Sequence, residues 1–408
     1  MASPDQESYL REPLNPYRAD YDNGLQMWSE SETWSRYIRE KNRIIKRADW
    51  RSQRNGRDTE IPPDRDIQEQ YGLLRDTRRI PRDVSCRGHD YQILVDNKVI
   101  TEDVNVVVVY QKTVREAEPG TLPCIFYIHG GCRYGGTPYS GYLERAKQWA
   151  TYFNAIAVSV EYRLSPNQSD ESPTGEEPTN DCFDALTWVY HQLGANEDSI
   201  LKYASRTKMI VFGTSAGGGL AASTVIKWCQ EQREGTGRAP GGLHGLILEA
   251  PQLDDRCNTQ SQEKFKYGNM FTSGDALRGW DASLGIRRGT EQVSVFEAPA
   301  RASEADVQGL PPTYIDVGAA EPFRDEALAF SNTLRSAKVD VEMNVWDGGF
   351  HGFFTAEPNA LVSRLCELTK LKWLGRRLGI QNEHIDNEYE EVKKAYDSRG
   401  KEARGLTA

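Results

Sequence analysis

Short apolar runs separated by longer amphipathic stretches organise the chain from about residue 89 onward. Tyr91–Asp96 and Val104–Tyr110 read as strands, and Val106–Val109 is a β-branched run that favours extended backbone. Cys124–His129, Ala155–Val160, Met209–Thr214, Gly245–Glu249, Thr313–Val317 and Val341–Val345 are further short apolar runs. Helical spacing falls between most of them, at about 140–153, 182–193, 217–233 and 324–337. Alternating strands and helices predict an α/β fold with a mostly parallel, eight-stranded sheet flanked by helices. The continuous apolar character of the strands fits burial on both faces.

Three regions break this rhythm. In the first eighty residues, Ser29 and Glu32 have capping-box spacing, and Trp34, Ile38 and Ile45 recur at helical intervals, which predicts a helix over about 30–47. Residues 36–57 carry nine Lys/Arg against two Asp/Glu, the mark of a solvated basic face. Asn167–Thr179 is rich in Pro, Ser and acid and reads as an exposed loop. Residues 256–308 separate two strands by more than a usual connection and predict an inserted subdomain. The highly charged segment 381–408 is expected as a solvated helix or partly disordered tail.

Composition narrows the function classes. Lys+Arg 50 against Asp+Glu 60 gives a net charge of −10, which disfavours a nucleic-acid binder. No apolar run is long enough to span a bilayer, and the polar start Met1-Ala2-Ser3-Pro4 lacks the apolar stretch of a secretory leader. Seven cysteines without Cys-x-x-Cys spacing argue against structural zinc and for reduced thiols in a cytoplasmic setting.

Four short segments carry chemistry. Gly213-Thr214-Ser215-Ala216-Gly217 follows one apolar strand and opens a helix, the context of a nucleophile elbow. His129-Gly130-Gly131-Cys132 follows another strand. A Gly-rich turn there brings backbone N–H groups close to a developing oxyanion, and the Ala216 N–H completes the hole. His129 itself reads as structural. His351 sits on a Gly-flanked loop after a late strand, last in the order serine, acid, histidine, and reads as the base. His89, His191, His244 and His384 lack such a setting. The acid belongs on the loop after Thr313–Val317. Glu321 is favoured there over Asp325, which also suits a helix N-terminus.

Together these residues resemble the hormone-sensitive-lipase-like branch of the α/β-hydrolases. The likeness rests on His129-Gly130-Gly131, Glu161-Tyr162-Arg163-Leu164-Ser165-Pro166, Gly213 through Gly218, Gly318 through Glu326 and Phe350-His351-Gly352-Phe353, over about residues 105–375. The Gly-Gly-Phe-His-Gly-Phe form looks most like fungal members, some of which serve secondary-metabolite pathways, including acetate-ester hydrolysis. The resemblance implies Ser215 as nucleophile, Glu321 as acid and His351 as base, with an oxyanion hole from Gly130, Gly131, Cys132 and Ala216. It also implies a helical cap. The expected organisation is a cap segment at 1–85, core at 86–255, cap insertion at 256–308, core at 309–380 and a charged tail at 381–408. Three features depart from the family pattern. Cys132 stands where glycine is usual, the acid is Glu rather than Asp, and the 167–179 loop is long. A β-carbon at position 132 costs on the order of 1 kcal/mol if φ is positive there.

The expected activity is hydrolysis of a carboxylic ester or lactone through an acyl-enzyme, with no metal, organic cofactor, nucleic-acid or membrane partner, in a monomer or homodimer. Acyl transfer, lactone opening or elimination on the same fold is the alternative, and a small-molecule receptor is a further one. Trp28, Trp34, Tyr37 and Trp50 are expected to pack the cap onto the core rather than to wall a pocket.

Overall fold

The computed structural model describes residues 73–80 and 104–403, apart from 137, 139–141, 167–171, 196–198 and 267–270. The helix expected over 30–47, the strand Tyr91–Asp96 and the aromatics of the first fifty residues lie outside these.

Eight strands form one sheet: β1 (Leu73–Ile80), β2 (Val104–Gln111), β3 (Leu122–Ile128), β4 (Ile156–Glu161), β5 (Ala204–Thr214), β6 (Gly245–Glu249), β7 (Thr313–Gly318) and β8 (Val341–Trp346). Their spatial order is β1-β2-β4-β3-β5-β6-β7-β8. β2 runs antiparallel to both neighbours, and every pair from β4 to β8 is parallel. β1 pairs along its whole length with β2, from Leu73–Gln111 to Ile80–Val104. These eight residues fall inside the segment assigned from sequence to the cap, so the sheet begins earlier than expected. Their ladder of backbone pairs, not their charged composition, puts them there.

The helices are α1 (Tyr142–Phe153), α2 (Glu177–Gln192), α3 (Ala216–Glu234), α4 (Gln260–Lys264), α5 (Ser273–Leu284), α6 (Arg324–Ser336), α7 (Phe353–Ala356), α8 (Leu361–Leu378) and α9 (Glu383–Ala403). Alternate strand residues feed two separate cores. Val106, Val108, Phe126, Val158, Val211, Leu248 and Ile315 pack under α2, α3 and α6. Val107, Ile125, Tyr127, Ala157, Phe212, Ile247 and Tyr314 pack under α1 and α8. Successive side chains point to opposite faces of a sheet, so a strand covered on both faces must be apolar at every position. That is why the strands read as unbroken apolar runs.

The insertion between β6 and β7 holds α4, α5 and two short 3-10 turns around a small core of Trp280, Leu284, Val293 and Ala298. Thr272 and Asp275 close a capping box at the start of α5. The described part of the 167–179 stretch, residues 172–179, is less solvated than its composition suggests. Thr174 is buried, Gly175 N–H donates to Ser283 O at 2.9 Å, and Ser294 Oγ donates to Glu176 Oε1 at 2.5 Å. Glu177–Thr179 already belong to α2. Docking onto the insertion gives these polar groups partners that a free loop would find in water. The charged 383–403 stretch is a helix packed along α8 through Ile385 and Val392.

Candidate active site

The site lies at the carboxyl ends of the central strands, where parallel α/β sheets place their ligands. β5 ends at Thr214 and α3 starts at Ala216, so Ser215 alone makes the turn. Its backbone has φ 58 and ψ −123, a region that L-residues rarely occupy and that costs about 1–3 kcal/mol. Small neighbours make this turn possible. A β-carbon on Gly213 would lie 2.1 Å from Gly217 O, and one on Gly217 would lie 2.1 Å from Ile128 O. Ser215 N–H donates to Glu249 O at 2.8 Å, and Ser215 O accepts from Gly218 N at 2.9 Å and from Gln252 N at 3.0 Å. The strained turn is thus held from β6 and from the first turn of α3.

Ser215 Oγ lies 2.9 Å from His351 Nε2, and His351 Nδ1 lies 2.5 Å from Glu321 Oε2. The other carboxylate oxygen of Glu321 accepts from Gly318 N–H at 2.7 Å. Glu321 is fully buried and the His351 side chain is 11% exposed. With Nδ1 carrying a proton toward the carboxylate, Nε2 is left as acceptor for the serine hydroxyl, the tautomer that general-base chemistry needs. The structure therefore brings together the three residues chosen from sequence. Asp325 is occupied elsewhere: its Oδ2 accepts from Ser261 N at 2.8 Å and its Oδ1 from Arg324 Nε at 2.8 Å. It fastens the start of α4 to the start of α6.

The loop after β3 runs directly beside the serine. A β-carbon on Gly130 would sit 3.1 Å from Ser215 Cβ and 3.0 Å from Thr214 O, so only glycine fits without a shift. Gly131, Cys132 and Arg133 follow with φ of 133°, 54° and 67°. Cys132 therefore holds the positive-φ conformation in which its β-carbon is costly. His129 is buried and engaged within the loop: Nδ1–H donates to Gly130 O at 2.8 Å, and the ring stacks on Tyr162 at 4.3 Å. Ala216 opens α3, whose aligned peptide dipoles favour negative charge near Ser215. Among the described residues no group of three His, Cys, Asp or Glu is placed to hold a metal ion.

Two aromatic residues at the histidine escaped the sequence reading. Phe271 lies 4.5 Å from the His351 ring, Phe323 meets it edge-on at 5.1 Å, and the two phenyl rings are 5.2 Å apart. Phe323 lies within the Gly318 through Glu326 segment on which the resemblance rests. Phe271 comes from the insertion, just before the Thr272–Asp275 box that marks a helix start.

A buried charged cluster backs the elbow on the face opposite α3. Thr214 Oγ1 donates to Glu249 Oε2 at 2.9 Å, and Arg145 Nη2 donates to both Glu249 oxygens at 2.9 and 2.8 Å. Lys370 reaches Glu249, Asp316 (3.3 Å) and Glu367 (3.0 Å). Burial pushes the Asp316 carboxyl up to about 6, against the opposing pull of Lys370.

A fold of this topology, with a serine on a tight strand-to-helix turn beside a Gly-rich loop, defines an α/β-hydrolase. The α/β-hydrolase fold family model matches residues 125–355, more than half of the chain, and the chain belongs to that family. A 3-O-acetylpapaveroxine carboxylesterase of Papaver somniferum is 26% identical over 62% of this chain and 77% of its own. The solved structure of a bacterial heroin esterase is 29% identical, covers 75% of this chain and 85% of its own, and superposes with a TM-score of 0.61. Brefeldin A esterase, described as a bacterial homologue of human hormone-sensitive lipase, shares the fold at 20% identity and TM-score 0.58 over 93% of this chain and 94% of its own. The protein is an α/β-hydrolase of carboxylesterase type. Among the described residues no helix is long and apolar enough to cross a membrane.

Proposed function

We propose that the protein cleaves the acetate ester of a larger, apolar alcohol, with Ser215 as nucleophile, His351 as general base and acid, and Glu321 as the carboxylate that holds the imidazole. The single observation that carries this reading is the 2.9 Å approach of Ser215 Oγ to His351 Nε2, with Nδ1 braced by Glu321. Ser215 Oγ bonds to the ester carbonyl carbon while its proton passes to His351 Nε2. The carbonyl oxygen becomes an oxyanion, which the N–H groups of Gly131, Cys132 and Ala216 receive. The C–O bond to the alcohol breaks, and the alcohol leaves with the proton from His351. Water then repeats the cycle on the acyl-enzyme, and the acid departs with Ser215 restored. Support for an acetyl group comes from the Papaver relative, whose name specifies a 3-O-acetyl substrate. Phe271 and Phe323 beside the imidazole suit an apolar alcohol on the leaving-group side.

Turnover of 4-nitrophenyl acetate and of longer acyl esters by the wild type and Ser215→Ala tests this. Ser215→Ala is expected to be inactive, and acetate to be preferred over longer acyl groups. Activity retained by Ser215→Ala overturns the nucleophile assignment, and a preference for long acyl chains overturns the acetate assignment. Product analysis with an added alcohol separates hydrolysis from acyl transfer, since only a transferase yields the new ester in preference to free acid.

A further inference from the structure

Arg133 follows the oxyanion loop directly, yet the residue is only 1% exposed. Burial lowers its guanidinium to about 10. Such a buried cation is strongly unfavourable unless its surroundings compensate. Apart from Tyr162, just after β4, and Cys182 on α2, the compensating groups belong to the 256–308 insertion or its edge. The guanidinium carbon lies 4.0 Å from the ring centroid of Trp280 on α5. Nη2 donates to Glu297 O at 3.1 Å. The carboxylates of Glu297 and Asp255 stabilise its charge. Nε and Nη1 have no hydrogen-bond partner, so the stack and the Glu297 bond are what hold the group.

The anchors are themselves fixed. Glu297 accepts from Arg287 Nη1 at 3.1 Å and Nη2 at 2.5 Å, and from Ser294 N–H at 2.9 Å. Asp255 pairs with Arg301 at 2.7 and 3.0 Å. At its backbone end Arg133 closes the run of positive φ that begins at Gly131. Its carbonyl accepts from Ser165 N–H at 2.8 Å. The insertion also presses on the loop directly, since a β-carbon on Gly279 of α5 would come within 2.4 Å of Cys132 O. Two consecutive L-residues in the left-handed region persist only where the surroundings over-determine them. The stacked guanidinium and the Gly279 contact supply that constraint from outside the loop.

We propose that Arg133 is a positioning residue that ties the oxyanion loop to the insertion, so that the N–H groups of Gly131 and Cys132 reach their working places only when the insertion is seated. The insertion then does two jobs at once: it covers the substrate and it sets the electrophilic half of the site. This rests on the proposed roles of Ser215 and the oxyanion loop.

The test compares wild type, Arg133→Met, Arg133→Lys and Trp280→Leu, each checked by circular dichroism and Tm. The readouts are kcat and KM for 4-nitrophenyl acetate and labelling by an organophosphonate mapped by mass spectrometry. Arg133→Met and Trp280→Leu are expected to lose about 100-fold in kcat, the scale of one lost oxyanion donor, with KM within about threefold of wild type. Arg133→Lys, which keeps the charge but not the flat stack, is expected to lose about tenfold. A folded Arg133→Met or Trp280→Leu with wild-type kcat and only a lower Tm overturns the proposal, because the residue is then merely structural. If those variants do not fold, Arg133→Lys with wild-type kcat overturns it equally. Absence of phosphonate on Ser215 in the wild type would instead overturn the nucleophile reading on which the proposal stands.

Discussion

Glu321 divides its two oxygens between His351 and the backbone of Gly318, at 2.5 and 2.7 Å. The Gly318 amide fixes where the carboxylate stands, and the carboxylate fixes where the imidazole points. The longer side chain is accommodated because it folds back onto the last residue of β7. Glu321→Gln is expected to lower kcat about 10³–10⁴-fold, as in serine enzymes whose orienting carboxylate becomes an amide, with little change in KM. Glu321→Asp shortens the reach by one methylene and cannot keep both contacts. It is expected to lose less, about 10–100-fold. Steady-state kinetics on one aryl ester decides. A Glu321→Gln enzyme near wild-type rate would remove the residue from the mechanism.

The glycines of the elbow respond to substitution by position rather than by number. Gly217→Ala would put a β-carbon 2.1 Å from Ile128 O, and Gly219→Ala would put one 2.0 Å from Gln252 O. Gly235, at the end of α3, has open space around its missing β-carbon. The first two alanine variants are expected to be insoluble or inactive. Gly235→Ala is expected to keep full activity and to lose only about 1 kcal/mol, from its left-handed φ of 66°. Soluble expression and urea denaturation measure the contrast, and equal behaviour of the three would contradict it.

Asp316 gives stability a definite pH dependence. Its carboxyl is raised by burial to about 6 in the folded protein, against about 3.9 in an unfolded chain. Between these values the folded state holds a proton that the unfolded state has released, so this contribution to stability falls as pH rises through the window. Asp316→Asn removes it. The Tm of the variant relative to wild type is expected to climb from pH 4 to pH 7, as measured by scanning calorimetry. A flat or falling difference would count against a raised Asp316.

Cys132 occupies a φ of 54°, where glycine carries no steric cost. Cys132→Gly is expected to stabilise the fold by about 1 kcal/mol while leaving the amide proposed for the oxyanion in place. Cys132→Val, branched at the β-carbon, is expected to destabilise. Chemical denaturation of the three proteins tests the order, and a less stable glycine variant would show that the thiol contributes packing or bonding that outweighs its strain.

Most of the sheet was legible because burial on both faces leaves a strand no polar positions, as in Gly245–Glu249, where expectation and structure agree in both ends. β1 was not, since Leu73–Ile80 carries Arg75, Asp76, Arg78 and Arg79, the composition of a solvated segment. It lies at the sheet edge, where only one neighbour specifies it. α8 was missed for the opposite reason. It is buried around much of its circumference, and Lys370 interrupts the apolar stripe that would advertise a helix. In the site, the serine, histidine and glutamate were readable from their strand-to-loop settings. Arg133 and Phe271 were not, because their contacts are with Trp280 and His351, more than fifty residues away, which no local spacing encodes.

The charges behind the elbow, Arg145, Glu249, Asp316 and Lys370, are closed off from water. Mobile ions weaken electrostatic attraction only where they can enter, and about 8 Å of screening at ordinary ionic strength applies to exposed pairs. The turn at Ser215 is therefore braced by interactions that salt weakens much less than it weakens exposed pairs. In concentrated electrolyte the ion pairs along the outer helices fade well before the brace behind Ser215 does.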